Sequence, residues 1–366
     1  MGQKEKRSPD KILLYLLTAL LVVGLLALLS ASIDQSQQDF GNVYGYFMHQ
    51  LLYGFLAGGA AAAIMYKFPY QKVQKIAPAI FILSVLLMML VFIPGISVKS
   101  GLAQRWIEVG PLTFQPSELV KFTFILYLGS WFSARIRGSK NGISLVPFLI
   151  FLGGLAILLL LQPDLSTFGI IALTAGIMYF TAGGSLRHIA YMGAIGIAAF
   201  FIFVKIAPYR MERILVLLDP DKDPLGVGYQ INQAVVAIGA GKIWGFGPLQ
   251  GIQKSHIPLA MNDSIFAVWA EETGFIGASI LLLLYLALAW RGLWLTEKIK
   301  DHFPRIVMAG ITIWLFLQAI INIGSITGVM PLTGVTLPLV SYGASSLVVT
   351  LAALGFMLQL SKQAEQ

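Results

Sequence analysis

The sequence predicts an all-α integral membrane fold of about ten transmembrane helices, with a long outer loop that carries short amphipathic helices. Three observations predict it. Of 366 residues, 57% are hydrophobic and only 11% charged, at a mean hydropathy of +0.79. A soluble domain carries roughly 25% charged residues, so the bilayer has to serve as solvent for a chain with so little polar surface. The apolar residues gather into stretches near the length of about 20 that a spanning helix needs. Finally, most Lys and Arg fall on alternate connections, as expected where basic loops stay in the cytoplasm.

Ten stretches qualify as spans: 12–31, 47–66, 76–95, 117–133, 144–161, 165–182, 188–206, 264–290, 306–326 and 340–360. With the N-terminus inside, sixteen of the 25 Lys and Arg lie on inner segments, among them Lys67, Lys72, Arg135, Arg137, Arg291 and Arg305. The outer loops 32–46, 162–165 and 327–339 hold none. The other nine concentrate at Lys99, Arg105, Lys121 and between 205 and 254. Basic residues on the outer side work against topology, which marks these segments as candidate sites. The chain reads as one membrane domain. It has cytoplasmic tails at 1–10 and 361–366, an outer loop at 96–117 with a short irregular or re-entrant segment, and a large outer loop at 207–262. Within the last, Ile231, Val235 and Ile238 recur at helical spacing with Gln230 and Gln233 interleaved, which predicts a short interfacial amphipathic helix. No cleavable signal peptide is read, because no small-residue cleavage site follows the first apolar run.

Several chemistries are excluded. There is no cysteine, hence no disulfide framework, thiolate metal site or thiol nucleophile. The four histidines, 49, 188, 256 and 302, have no metal-ligand spacing. No P-loop, dinucleotide fingerprint or G-x-S-x-G elbow occurs, which counts against a nucleotide-driven pump from this chain alone. The net charge of +8 reflects inner loops, with no nucleic-acid partner implied.

Five segments carry polar residues in places a membrane protein does not spend them. In 101–121, Pro116 ends an irregular stretch that holds Arg105, Trp106 and Gln115, and Ser117 with Glu118 opens a helix. Glu118 and Lys121 share one helix face, either as a boundary ion pair or as walls of a cavity. Arg105 is placed to bind a lipid phosphate, and Trp106 suits an interfacial anchor. Asp164, in Gln162-Pro163-Asp164, caps a helix or serves a site. Arg210 and Arg213 stand one turn apart as a phosphate clamp, unless Glu212 and Asp219 neutralise them. Asp263 lies at the mouth of a helix, as a cap or as a general base. Glu271 and Glu272 follow inside that helix, and structural pairing is the favoured reading for both. In 327–346, Gly and Pro break an apolar stretch. There Ser341, Tyr342, Ser345 and Ser346 suit a sugar or pyrophosphate, or close helix packing.

Taken in order, "AQRWI…FQPSE..K", "QPDL", "YR..RI…LDP…G.GYQ", "DSIFAVWAEETGFIG" and "P.TG..LP..SYG.SS" resemble the SEDS family (shape, elongation, division and sporulation), which includes RodA and FtsW. The resemblance runs from about residue 11 to 361. It implies polymerisation of lipid II into glycan strands on the outer face of the cytoplasmic membrane. The donor would be an undecaprenyl-pyrophosphate-linked glycan and the acceptor the GlcNAc 4-hydroxyl of lipid II. Asp263 matches the family's essential acidic residue and is assigned as general base. Glu118 and Lys121 match a polar pair facing the central cavity, and Arg105, Arg210 and Arg213 would hold pyrophosphate. Trp106, Gln115, Ser117, Gln230, Gln233, Lys254 and the four residues of the last motif complete the candidate substrate and cavity set. No covalent cofactor is implied. A divalent cation, Mg²⁺ or Mn²⁺, is an option for the leaving group, with Asp263 or Glu118 as its ligand.

The chain departs from the family where L-P-E-x-H-T-D-F is usual: the Glu, His and Thr are replaced by Leu259, Met261 and Asn262, and Ala344 stands for a usual Gly. Gln253-Lys254 and Ser30-Ala31-Ser32 resemble the division-type FtsW branch. Two other functions compete: a lipid II flippase, motivated by intramembrane carboxylates and Gly/Pro-broken helices, and a catalytically lapsed scaffold for a class B penicillin-binding protein, the transpeptidase partner the resemblance implies.

Overall fold

The computed structural model describes residues 8–95, 97–100, 103–109, 112–138, 143–206, 208–219 and 222–365. Thirteen helices carry these residues: α1 Lys11–Ala31, α2 Ile33–Phe40, α3 Gly45–Lys67, α4 Tyr70–Leu90, α5 Pro116–Gly138, α6 Leu145–Leu161, α7 Leu165–Thr181, α8 Leu186–Ile206, α9 Pro208–Leu218, α10 Val227–Ala240, α11 Ile265–Lys298, α12 His302–Ile326 and α13 Ala344–Ser361. Local chemistry sets their ends. Asp10 accepts from Leu13 N at 2.7 Å and caps α1. Phe68, held extended before Pro69, stops α3. Pro116 opens α5, where its missing N–H costs nothing.

Each of the ten apolar stretches overlaps one of these helices; 76–95 runs five residues past the end of α4, 340–360 begins four residues before α13, and 144–161, 165–182 and 264–290 each overrun by one residue. Six helices, α1, α3, α4, α11, α12 and α13, are long and apolar enough to cross a membrane. α6 and α7 are also apolar but shorter, with 17 residues each. Helices α12 and α13 are the centre: 72% of their most apolar windows is buried inside the protein, against 17–33% for the other four. α13 meets α3 backbone to backbone at Gly355, where a Cβ would stand 2.2 Å from the Ala62 carbonyl. Small residues permit this approach where lipid offers no hydrophobic drive between helices.

The loop 96–117, expected on the outer side, departs from the irregular segment expected of it. It contains a three-stranded antiparallel sheet, β1 Ser97–Ser100, β2 Ala103–Val109 and β3 Leu112–Phe114, in the order β1-β2-β3. Ile107 pairs with Ser97 on one side and Phe114 on the other. The cause is composition: Trp106, Ile107, Val109, Thr113 and Phe114 favour a pleated, half-buried surface. The sheet delivers the chain directly into Pro116 of α5.

The long loop 207–262 has α9, α10 and a compact turn region among its described residues. The buried face of α10 is Gln230, Ile231, Ala234 and Ala237, whereas Val235 is exposed. The apolar stripe expected on Ile231, Val235 and Ile238 is therefore rotated, because the helix packs on α11 and turns an amide inward.

Candidate functional site

A cavity of about 1850 Å³ opens among α5, α7, α8, α10, the turn before α11 and the segment 330–346. Its apolar portion runs along α7 and α8, past Leu173, Ile177, Ile195 and Ile197. Its polar portion gathers Arg105, Trp106, Gln115, Glu118, Asp164, Arg213, Gln230, Asp263, Tyr342 and Ser346. Five stretches of sequence thus line one amphiphilic space.

Asp263 is buried, 5% exposed, in the turn just before α11. It does not cap the helix: the N-cap is Ser264, which makes no capping bond through its side chain. The Gln230 amide donates to Asp263 Oδ1 at 3.3 Å and to Ser264 Oγ at 3.0 Å. Burial pushes the Asp263 carboxyl up to about 6, against opposing pulls from backbone N–H groups, Gln230 and the Arg213 charge. Its main chain is fixed from α12, where the Asn322 amide donates to Asp263 O at 2.8 Å and to Val335 O at 2.7 Å. One side chain therefore joins the Asp263 turn to the 330–346 segment. That segment makes two further bonds back: Tyr342 N donates to Met261 O at 2.8 Å, and Ser341 Oγ donates to Asn262 O.

Glu118 and Lys121 form a buried ion pair at 2.7 Å. Lys121 Nζ also donates to Gln318 Oε1 at 2.8 Å, which accepts from Trp314 Nε1 as well. Only Glu118 of the pair reaches the cavity, and its Oε2 is buried without a partner. Lys121 lies behind it among apolar side chains.

Arg105 and Asp164 are joined at 3.5 Å, and Arg105 also donates to the carbonyls of Gln162 and Pro163. Asp164 caps α7 through Thr167 N at 3.3 Å. The β-sheet and the short turn before α7 thus form one unit. Arg213 donates to Leu332 O at 2.9 Å. The side chain of Arg210 lies outside the described residues, so the one-turn clamp is represented here by Arg213.

Other candidates stand back from the cavity. Lys254 is 3.3 Å from Glu272 and donates to Ser30 Oγ at 3.1 Å. Glu272 accepts in addition from Ser30 Oγ, Leu249 N and Gly251 N. Glu271 accepts from Ile252 N and Gln253 N at 2.7 Å each. The two adjacent carboxylates pin the turn region 245–255 onto α11, the structural pairing expected of them, and Lys254 belongs to that pin instead of the cavity wall. Ser341 is spent on Leu337 N and Asn262 O. Ser117 and Ser345 are buried with unpartnered hydroxyls, and Gln233 is half-buried on α10; none of the three lines the cavity.

Gln318, Asn322, Asn262 and His49 were not read from the sequence as site residues. The first two had a signal: amides four apart inside an apolar span are costly unless bonded across helices. His49 gave none.

Comparison with known proteins agrees with the geometry. Residues 10–366 match the "Cell cycle protein" model of FtsW, RodA and SpoVE. The chain is 35% identical to stage V sporulation protein E of Bacillus subtilis, over 98% of each chain. It is 36% identical to a probable peptidoglycan glycosyltransferase FtsW of Thioalkalivibrio, over 98% of this chain and 91% of the relative. Among solved structures, it matches a peptidoglycan synthase complex, described as coordinating polymerization and crosslinking, with a TM-score of 0.77 and 30% identity over 96% of this chain and 97% of the other. The rod shape determining protein RodA of Thermus thermophilus matches over the full length of both chains, at a TM-score of 0.70 and 26% identity.

Proposed function

The chain belongs to the FtsW, RodA and SpoVE family, and from that membership we propose that it is a peptidoglycan glycosyltransferase polymerising lipid II at the outer face of the cytoplasmic membrane. One observation carries the reading to a mechanism: a buried, hydrogen-bonded carboxylate, Asp263, stands in one cavity with two guanidiniums and an apolar groove. An amphiphile with a pyrophosphate at its neck fits that layout. The groove takes hydrocarbon, and Arg105 and Arg213 face the phosphates. A guanidinium suits phosphate because its planar fork of N–H donors matches the oxygens of that group.

The step is a displacement at the anomeric carbon of the donor glycan. The acceptor 4-hydroxyl loses its proton to Asp263 as its oxygen bonds to that carbon. The carbon–oxygen bond to pyrophosphate breaks, and the electron pair leaves with the lipid pyrophosphate. A base with a pKa near 6 is ionised at neutral pH and still basic enough to take a proton in the transition state. Glu118 lines the same space and is paired at 2.7 Å with Lys121, which lies behind it. Among the described residues no three carboxylates or histidines gather as a metal cage. Asp263 nonetheless fits an ion shared with substrate, since Mg²⁺ needs only one or two protein carboxylates beside phosphates. When bound, it would supply charge neutralisation for the leaving group.

The synthase complex among the structural matches supports a transpeptidase partner, a class B penicillin-binding protein. The inner-side Lys and Arg support cytoplasmic termini. The test is glycan polymer formation from purified lipid II by wild type and Asp263→Ala, in detergent with the transpeptidase bound. Polymer from wild type alone is expected. Equal turnover by both proteins removes the role of Asp263. No polymer from either, together with lipid II scrambling in liposomes, replaces the enzyme with a transporter.

A further inference from the structure

Beside Asp263 the cavity has a wall to which the reaction above gives no task. It is built from His49 near the start of α3 and from the turn 341–343, which contributes Tyr342 and Gly343. Helix α3 is α-helical over Gly45–His49 and then π-helical over Gln50–Leu56. Such wide turns inside helices collect at functional sites because they re-aim side chains. Here the junction presents two neighbours to one turn. Gln50, 2% exposed, accepts from Gly343 N at 3.2 Å and reaches Ser341 O at 3.5 Å. His49 Nδ1 lies 3.0 Å from the Tyr342 hydroxyl. Tyr46 stands edge-on to Tyr342, with ring centroids 5.2 Å apart, and Tyr53 packs on His49 at 4.7 Å.

The same turn is bonded to the Asp263 segment through Tyr342 N and Met261 O. His49, Tyr342, Asn262 and Asp263 all line the one cavity. An aromatic belt at the membrane interface explains Tyr44 and Tyr53, which point outward and are 53% and 40% exposed. It does not explain His49 and Tyr342, which are half-buried and turned into the cavity.

We propose, on the basis of the glycosyltransferase reading, that His49 and Tyr342 form a paired contact for a sugar ring of the lipid-linked substrate. Chemistry selects the sugar over the pyrophosphate. The two rings offer apolar faces together with an imidazole and a hydroxyl that give and accept hydrogen bonds, which match an uncharged ring rich in hydroxyls. The cavity's guanidiniums, Arg105 and Arg213, come from other elements. Gln50 acts only through the turn and is a positioning residue.

The test compares wild type, His49→Ala, His49→Gln and Tyr342→Phe, each with the transpeptidase bound, by steady-state polymerisation of lipid II and by thermal melting. His49→Ala should raise KM about tenfold, equivalent to ~1.4 kcal/mol, and leave kcat within about twofold. Tyr342→Phe removes one neutral hydrogen bond and should raise KM about threefold. In His49→Gln the amide can still pair with the Tyr342 hydroxyl, so KM should return to within about threefold of wild type. A second readout is independent of turnover: binding of a short-chain lipid II to Asp263→Asn with and without His49→Ala, where about tenfold weaker binding is expected with the second change. An unchanged KM and unchanged binding in His49→Ala overturn the proposal. So does His49→Gln no better than His49→Ala with a lowered melting temperature, which marks a structural role. If His49→Ala does not fold, an unchanged KM in Tyr342→Phe overturns it. An inactive wild type counts against the glycosyltransferase reading, whereas an active wild type with indifferent variants counts only against this pair.

Discussion

Asp263 holds its charge against its surroundings, and two measurable consequences follow. Polymerisation should rise with pH through about 6, because the base must be ionised and burial has lifted its pKa. A rate–pH profile whose acid limb falls at pH 4, near an ordinary carboxyl, would exclude it as the base. Stability moves the other way. The folded state binds this proton more tightly than the unfolded chain, so Asp263 favours folding most below about pH 4 and costs up to ~3 kcal/mol once pH passes 6. Asp263→Asn keeps the shape and removes the charge. It should lose about 10²-fold or more in rate yet melt no lower than wild type at pH 7.5. At this scale the sequence was informative where a lone carboxylate sat at a helix mouth, and the capping alternative fell because Ser264 took the cap position. It was silent on Gln230 as the contact of Asp263, since an amide on an amphipathic face looks like any solvated residue until the helix's rotation is known.

Whole elements are set by pairs of charges. The Glu118–Lys121 bond sits in the first turn of α5 with almost no solvent. Glu118→Gln strips Lys121 of its counter-charge, which costs roughly 3–5 kcal/mol for a buried pair. Glu118→Gln/Lys121→Met should recover much of that, as read by thermal melting of the two variants. Helix α11 supplies a second case. Gly274, at φ 66 and ψ −167, kinks it, and a Cβ there would stand 2.4 Å from both Gly245 N and Ile243 O. Gly274→Ala should therefore lower stability by about 1–3 kcal/mol and loosen the turn region 245–255, visible as faster amide exchange at Phe246 and Gly247. The helices were legible because apolar runs of spanning length admit few other readings. The β-sheet was not, because strands of three to seven residues leave a pattern too short to separate from a loop.

At the scale of the molecule, burial is uneven. α12 and α13 are enclosed by protein, while α1, α3 and α4 face largely outward. In detergent, amide exchange should be slowest in α12 and α13 and faster in the outward-facing helices. Equal protection across all of them would contradict this layout. That α12 is central was foreshadowed by Gln318 and Asn322, polar groups a lipid-facing helix would not hold. The identity of what surrounds it depended on contacts between residues more than a hundred positions apart, such as Gln50 with Gly343 and Ser30 with Lys254, which no local pattern encodes.

The turn that carries Asp263 is gripped by its peptide groups: Met261, Asn262 and Asp263 each offer a carbonyl to Tyr342, Ser341 and Asn322 respectively. A clasp of this kind is indifferent to which side chains hang from it. The bonds at Met261 and Asn262 do not depend on which side chains stand there, so substitution at these two positions leaves the carboxylate held, whereas Leu259, at φ 53, occupies a backbone region that restricts its replacement. Variation at Asn262, which lines the cavity, can then change what the site meets, while the acid itself stays where α12 and the 341–343 turn hold it.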